Sequence, residues 1–160
     1  MPRITPCLWF DNNAEEAAGF YVTIFPDSAI TNIVRAPSGG TPSNEPGAVM
    51  VVEFTLDGAS FVGLNGGPHF SFSEAISLQV PCADQGEVDY YWDALLAGGG
   101  EPSQCGWLKD RFGLSWQVFP TRLMELHSDP DPQRANRAMQ AMMTMQKIDL
   151  AAIEAAAAGG

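Results

Sequence analysis

Leu8-Trp9-Phe10-Asp11-Asn12-Asn13-Ala14-Glu15-Glu16 opens a pattern that the chain uses twice. A short apolar run gives way to a polar turn, then to an acidic helix start whose inner face ends in Phe20, Tyr21 and Phe25. Seventy residues on, Leu78-Gln79-Val80 leads through Cys82-Ala83-Asp84 to Glu87, Val88, Tyr90, Tyr91, Trp92 and Leu95. The shift sets Leu8 on Leu78, Phe10 on Val80, Phe20 on Tyr90, Tyr21 on Tyr91 and Phe25 on Leu95. Self-similarity at a fixed offset marks duplication of one supersecondary unit, so the chain reads as two fused copies.

Working outward, Ile4 to Phe10 has the length and apolarity of a strand, and Asn12 or Asn13 is placed to cap the helix that follows. Pro26 stops that helix. Ser28 to Arg35, Val49 to Leu56 and Ser60 to Leu64 read as strands, the last two joined by the hairpin signal Asp57-Gly58. Between them, the loop Pro37 to Gly47 is rich in Gly, Pro, Ser and Asn and long enough to cover a site. The first copy is therefore β-α-β-β-β. The second starts at Ala75 to Val80, caps its helix with Asp84 and Glu87, and ends that helix at Gly98-Gly99-Gly100. Only Glu101 to Lys109 and Leu114 to Phe119 remain for its later strands, so one of them is expected to be truncated or irregular. From Thr121 the chain is helical, with Met139, Met142, Met143, Leu150 and Ile153 forming an apolar stripe that needs a partner surface. The expected organisation is α+β: a domain at 1–128 made of two modules, about 1–68 and 69–128, followed by a helical extension at 129–160.

Composition narrows the function classes. Nineteen acidic against eight basic residues give a formal charge of −11, a field that repels phosphates of nucleic acid and anionic lipid headgroups. No run approaches the roughly eighteen apolar residues of a membrane span. Cys7, Cys82 and Cys105 are odd in number and scattered, which fits neither a disulfide framework nor a thiolate zinc site, and the expected compartment is the cytoplasm.

Three segments carry a resemblance to a known family. Phe10-Asp11-Asn12-Asn13-Ala14-Glu15-Glu16-Ala17 with Phe20-Tyr21 and Phe25-Pro26, then Phe61 to Pro68, then Trp107 to Gln117, resemble the PhnB-like group of the glyoxalase, or vicinal oxygen chelate, superfamily. The resemblance spans about residues 3 to 125. It implies two β-α-β-β-β modules curled into open sheets around a small-molecule site. Members are often labelled 3-demethylubiquinone 3-methyltransferase. The usual S-adenosylmethionine site needs a glycine-rich turn between a first strand and its helix, whereas this turn is Asp11-Asn12-Asn13.

The resemblance also implies where a metal would sit in metal-using relatives: a first and a late strand of each module. Those positions fall near Thr5, Glu53, Ala75 and Gln117, of which only Glu53 is a strong ligand, so neither a metal nor another cofactor is expected. Glu53 reads either as a solvent-facing strand residue or as a buried carboxylate acting as base. His69, in the crossover Gly66-Gly67-Pro68-His69, is the only histidine inside the matched region and the second catalytic candidate. Trp9, Asn65, Trp107 and Gln117 are the candidate ligand-binding groups, with Asn65 equally readable as a turn residue. Gln117 shares a strand face with Ser115 and Phe119 by alternation. Cys105 reads as a small core residue, and Lys109 with Asp110 as solvated charges of a hairpin.

The expected function is binding of a small, largely apolar molecule, with or without metal-independent catalysis. Two alternatives stand beside it: a divalent-metal lyase, isomerase or dioxygenase using Glu53, and a protein that sequesters a toxic compound without chemistry. The expected assembly is a homodimer built on the C-terminal helices or on sheet edges.

Overall fold

A computed structural model describes residues 1–160. The chain divides into two compact units, Met1–Phe72 and Ser73–Gly160. In the first, the apolar run forms strand β1 (Cys7–Phe10), followed by helix α1 (Ala14–Ile24) and strands β2 (Ala29–Arg35), β3 (Val49–Leu56) and β4 (Ala59–Asn65). The sheet order is β1-β4-β3-β2, with β1 parallel to β4 and the other pairs antiparallel. The hairpin falls where expected, with Asp57 and Gly58 both at positive φ, the conformation that a tight two-residue turn between twisted strands requires.

The second unit repeats the order with β5 (Ser77–Cys82), α2 (Gln85–Leu96), β6 (Glu101–Pro102), β7 (Trp107–Lys109) and β8 (Ser115–Pro120). Its sheet runs β5-β8-β7-β6, with β5 parallel to β8, so the β-α-β-β-β module is present twice. The expected truncation falls on β6, two residues long. Three helices follow: α3 (Thr121–His127), α4 (Pro132–Met142) and α5 (Leu150–Ala157).

In each module the helix covers one sheet face. Val52, Phe54 and Leu56 are buried toward α1, whose Tyr21 ring lies 6.4 Å from that of Phe54. Between them on β3, Glu53 is exposed, so the opposite face carries Glu53 with its neighbours by alternation. In the second unit Val80, Cys82, Leu108, Trp116 and Val118 are buried on the α2 face.

The seventy-residue offset holds for the opening strands, β1 and β5, but not for the helices. The buried positions Ala17, Tyr21 and Ile24 of α1 correspond to Val88, Trp92 and Leu95 of α2, seventy-one residues on. Aligning Tyr21 with Tyr91 and Phe25 with Leu95 was therefore one residue out. From the matched strand position the second helix starts one residue later, Gln85 after Val80 against Ala14 after Phe10, and its turn holds its own cap: Asp84 accepts from the Glu87 N–H at 3.0 Å, and Glu87 accepts from the Ala83 N–H at 2.7 Å. The first turn lacks such a box. Asn13 sits at the N-cap without a side-chain bond, and neither Asn12 nor Asn13 supplies the cap expected of it.

The tail corrects a second expectation. Ile148 and Ile153 are fully buried with Phe119, Leu123, Leu126 and Ala138, and Met142 and Met145 pack against that cluster. The stripe expected to need a partner subunit is thus largely covered within its own unit, leaving Met139 and Met143 exposed. Met145 and Gln146 carbonyls also accept from the Cys105 and Gly106 N–H groups, both at 2.8 Å, which fastens the tail to the start of β7.

Candidate functional site

The six expected site residues divide between the units. Trp9, Glu53, Asn65 and His69 belong to the first; Trp107 and Gln117 belong to the second.

In the first unit, Trp9 and Glu53 share the sheet face turned away from α1. Trp9 pairs with Leu64 and Glu53 with Val62, which alternate with the α1-facing Gly63. The Trp9 indole is anchored: Nε1 donates to the Gly67 carbonyl at 2.9 Å, and its ring meets Phe70 edge-on at 4.9 Å. Gly66 must be glycine for this, since a Cβ there would stand 2.3 Å from the indole. Glu53 takes the solvent-facing of its two readings, its Oε2 accepting from Asn32 Nδ2 at 2.9 Å. The alternative reading of a desolvated base is corrected: β3 buries alternate residues, and Glu53 falls on the exposed set. His69 lies exposed in the turn after β4.

Asn65 is on the other face. Its Oδ1 accepts from the Ala14 N–H at 2.9 Å and its Nδ2 donates to the Val49 carbonyl at 2.9 Å, while its own carbonyl accepts from Asn44 Nδ2 at 2.8 Å. This amide is the cap that α1 lacks locally, delivered from a strand fifty-one residues away. Its polar atoms hold scaffold together, which corrects its assignment as a ligand group.

In the second unit, Trp107 and Gln117 are register partners on β7 and β8 and share the face turned away from α2. Gln117 Nε2 donates to Ser77 Oγ at 2.8 Å. The same face holds a cleft of about 150 Å³ whose lining includes Glu74, Trp107, Lys109 and Ser115. Lys109 is ion-paired with Glu74; the hydrogen bond from Lys109 lowers the Glu74 carboxyl below its ordinary value, and the same bond raises the Lys109 ammonium. Ser115 is 1% exposed, and its hydroxyl has no hydrogen-bond partner. Alternation placed Ser115 beside Gln117 in the sequence, but nothing in the sequence marks a hydroxyl left unpaired.

Asp110 is not the solvated hairpin charge expected. It is 3% exposed, with Oδ1 accepting from the Phe112 and Leu114 N–H groups at 2.9 and 3.1 Å and Oδ2 from Trp116 Nε1 at 2.8 Å. Among the thiols, Cys7 is exposed, and Cys105 is half-buried rather than the core residue expected. Cys82 is fully buried; desolvation first, then Glu87 and Asp84, pushes its thiol up to about 12, which leaves it inert as a nucleophile.

The donor set does not fit a transition metal. Thr5 and Ala75 lie outside β1 and β5, Glu53 and Gln117 sit on non-equivalent strands of their modules, and nowhere do three His, Cys, Asp or Glu side chains gather. Nor do the strand-to-helix turns fit the usual S-adenosylmethionine cradle: neither Asp11-Asn12-Asn13 nor Ala83-Asp84 contains a glycine, and the Ala14 N–H of α1 and the Glu87 N–H of α2 are already bonded by Asn65 and Asp84.

Comparison with known proteins places the chain. Residues 2–119 match the family model described as 3-demethylubiquinone-9 3-methyltransferase, and the chain belongs to that PhnB-like family. A PhnB protein from Bacillus cereus, titled with the same methyltransferase description, is 32% identical, with a TM-score of 0.67 over 75% of this chain and 100% of its own. A protein from Pseudomonas aeruginosa is similar in fold at 19% identity, with a TM-score of 0.58 over 75% of this chain and 98% of its own. No curated protein matched the chain. No helix is long and apolar enough to cross a membrane.

Proposed function

We propose that this protein binds a small, largely apolar molecule on the sheet faces turned away from its helices, and that any chemistry there proceeds without a metal. The observation that carries this reading is the pairing of Trp107 with Gln117 on the uncovered face of the second sheet, an aromatic surface beside an amide already oriented by Ser77. Trp9 offers a comparable surface in the first unit. Glu53 and His69 are the exposed titratable groups available for catalysis. A divalent-metal enzyme is disfavoured by the donor set. Sequestration without turnover uses the same surfaces and is favoured by one feature: Glu53, the candidate base, is solvated and held by Asn32 rather than desolvated.

A thermal-shift screen of small apolar and aromatic compounds tests binding, and incubation of each hit with the protein, followed by product analysis, separates enzyme from sequestering protein. A screen in which no compound raises the unfolding temperature overturns the reading. The proposed assembly is a cytoplasmic homodimer, closed two-fold pairing being the commonest soluble arrangement. With the tail covering its own unit, the sheet edges become the expected contact. Light scattering at micromolar concentration that returns a monomer mass removes this part.

A further inference from the structure

The cleft of the second unit has a chemistry more specific than an apolar surface. Its volume of about 150 Å³ matches the size of cavity that holds one benzene-like ring. Trp107 and Pro102 supply apolar wall, while Glu74, Glu101 and Lys109 supply the polar part of the lining. Two carboxylates against one ammonium, in a chain of formal charge −11, disfavour an anionic guest. Ser115 adds a buried hydroxyl without a partner, a group whose desolvation is uncompensated until something bonds to it.

We propose that this cleft binds neutral single-ring phenols, the ring against Trp107 and the phenolic oxygen bonded to Ser115. A phenol both donates and accepts, so it can meet the Ser115 hydroxyl and still donate to a carboxylate of the lining. An aryl ketone only accepts, and a benzoate brings its charge against Glu74 and Glu101. This proposal rests on the small-molecule reading above and narrows it to one place and one ligand class.

The test is amide and indole NMR of the full chain titrated with phenol, toluene and benzoate, for wild type, Ser115→Ala and Trp107→Leu. Expected are shifts at the Ser115 amide and the Trp107 indole with phenol, affinity for phenol above that for toluene, and no saturable shift with benzoate. Ser115→Ala should weaken phenol about tenfold and leave toluene unchanged. It should not lower the unfolding temperature, because the hydroxyl it removes has no partner. Trp107→Leu should weaken both neutral ligands, which keeps the ring contact testable apart from the hydroxyl. Equal phenol affinity in wild type and Ser115→Ala, or benzoate binding as well as phenol, overturns the proposal. Compounds from the screen that shift resonances elsewhere while phenol leaves Ser115 and Trp107 unmoved sink this proposal alone. If nothing in the screen or the titration binds, the broader reading falls with it.

Discussion

The two modules reach one architecture by different devices. The first has strands of seven and eight residues in its β2–β3–β4 meander, a hairpin made by Asp57-Gly58, and a helix capped from a distance by Asn65. The second has strands of two and three residues at its edge, a helix capped locally by Asp84 and Glu87, and a hairpin tied by the Asp110 carboxylate. Shorter strands offer fewer ladder bonds and less apolar face, and the second unit adds α3, α4 and α5 over Phe119. Topology survives duplication while the stabilising contacts are reinvented around it.

If that account is right, the second unit depends on its tail and the first does not. Deleting residues 129–160 uncovers Phe119, Leu123 and Leu126, and the second unit should lose protection in hydrogen exchange while the first keeps its own. Ile153→Ala alone, at a fully buried position, should cost about 2–5 kcal/mol in urea unfolding. An unchanged midpoint would show the tail to be an appendage rather than part of the unit.

The hairpins give the next largest effect. Asp110→Ala strips acceptors from the Phe112 and Leu114 N–H groups and from the Trp116 indole, the last two of these bonds buried. The expected loss is about 2–4 kcal/mol, since each buried donor left unpaired costs roughly 1–3 kcal/mol before local rearrangement. Asp57→Asn in the first hairpin keeps a residue type that tolerates positive φ and should change stability by less than about 0.5 kcal/mol. Comparable losses from the two substitutions would erase the distinction drawn between the turns.

The caps separate the modules more finely. Asn65→Ala removes a buried acceptor from Ala14 and a donor from Val49, for an expected cost of about 2–3 kcal/mol. Asp84→Ala removes one cap on an exposed turn, for about 1 kcal/mol. Chemical denaturation of both variants measures the difference directly, and the order of the two is the informative result.

What the sequence revealed and what it hid follow the same divide between local and distant causes. The duplicated strand-helix pattern, the Asp57-Gly58 turn and the Asp84–Glu87 box depend on residues a few positions apart, and each was readable. Asn65 was ambiguous because its helix lies fifty-one residues away in the chain. Asp110 looked solvated because a charge beside Lys109 at a turn usually is; the Trp116 indole that holds it returns only on the next strand. The tail's apolar stripe was visible, but which surface covers it is a tertiary fact. At the site, alternation placed Gln117 and Ser115 together, while the cleft and the unpaired hydroxyl depend on the packing around them.

The smallest expected effect is a pH dependence confined to the second unit. His127, the last residue of α3, has a buried Nε2 without a hydrogen-bond partner, and desolvation lowers its imidazole below the ordinary value of 6.5. Burial therefore disfavours the charged form in the folded state, while the unfolded chain takes up the proton normally. Above pH 6.5 both states hold neutral histidine and this group adds no slope. As pH falls below that value the unfolded state binds the proton first, so stability declines, and the decline levels off once the folded imidazole is protonated too. Urea midpoints measured between pH 7 and the onset of carboxylate titration should drop gently in the wild type, and His127→Phe should flatten that segment. An unaltered slope in the variant would assign it to other groups. Hydrogen exchange followed over the same range should show the loss in the second unit alone, because His127 sits on α3, which belongs to that unit.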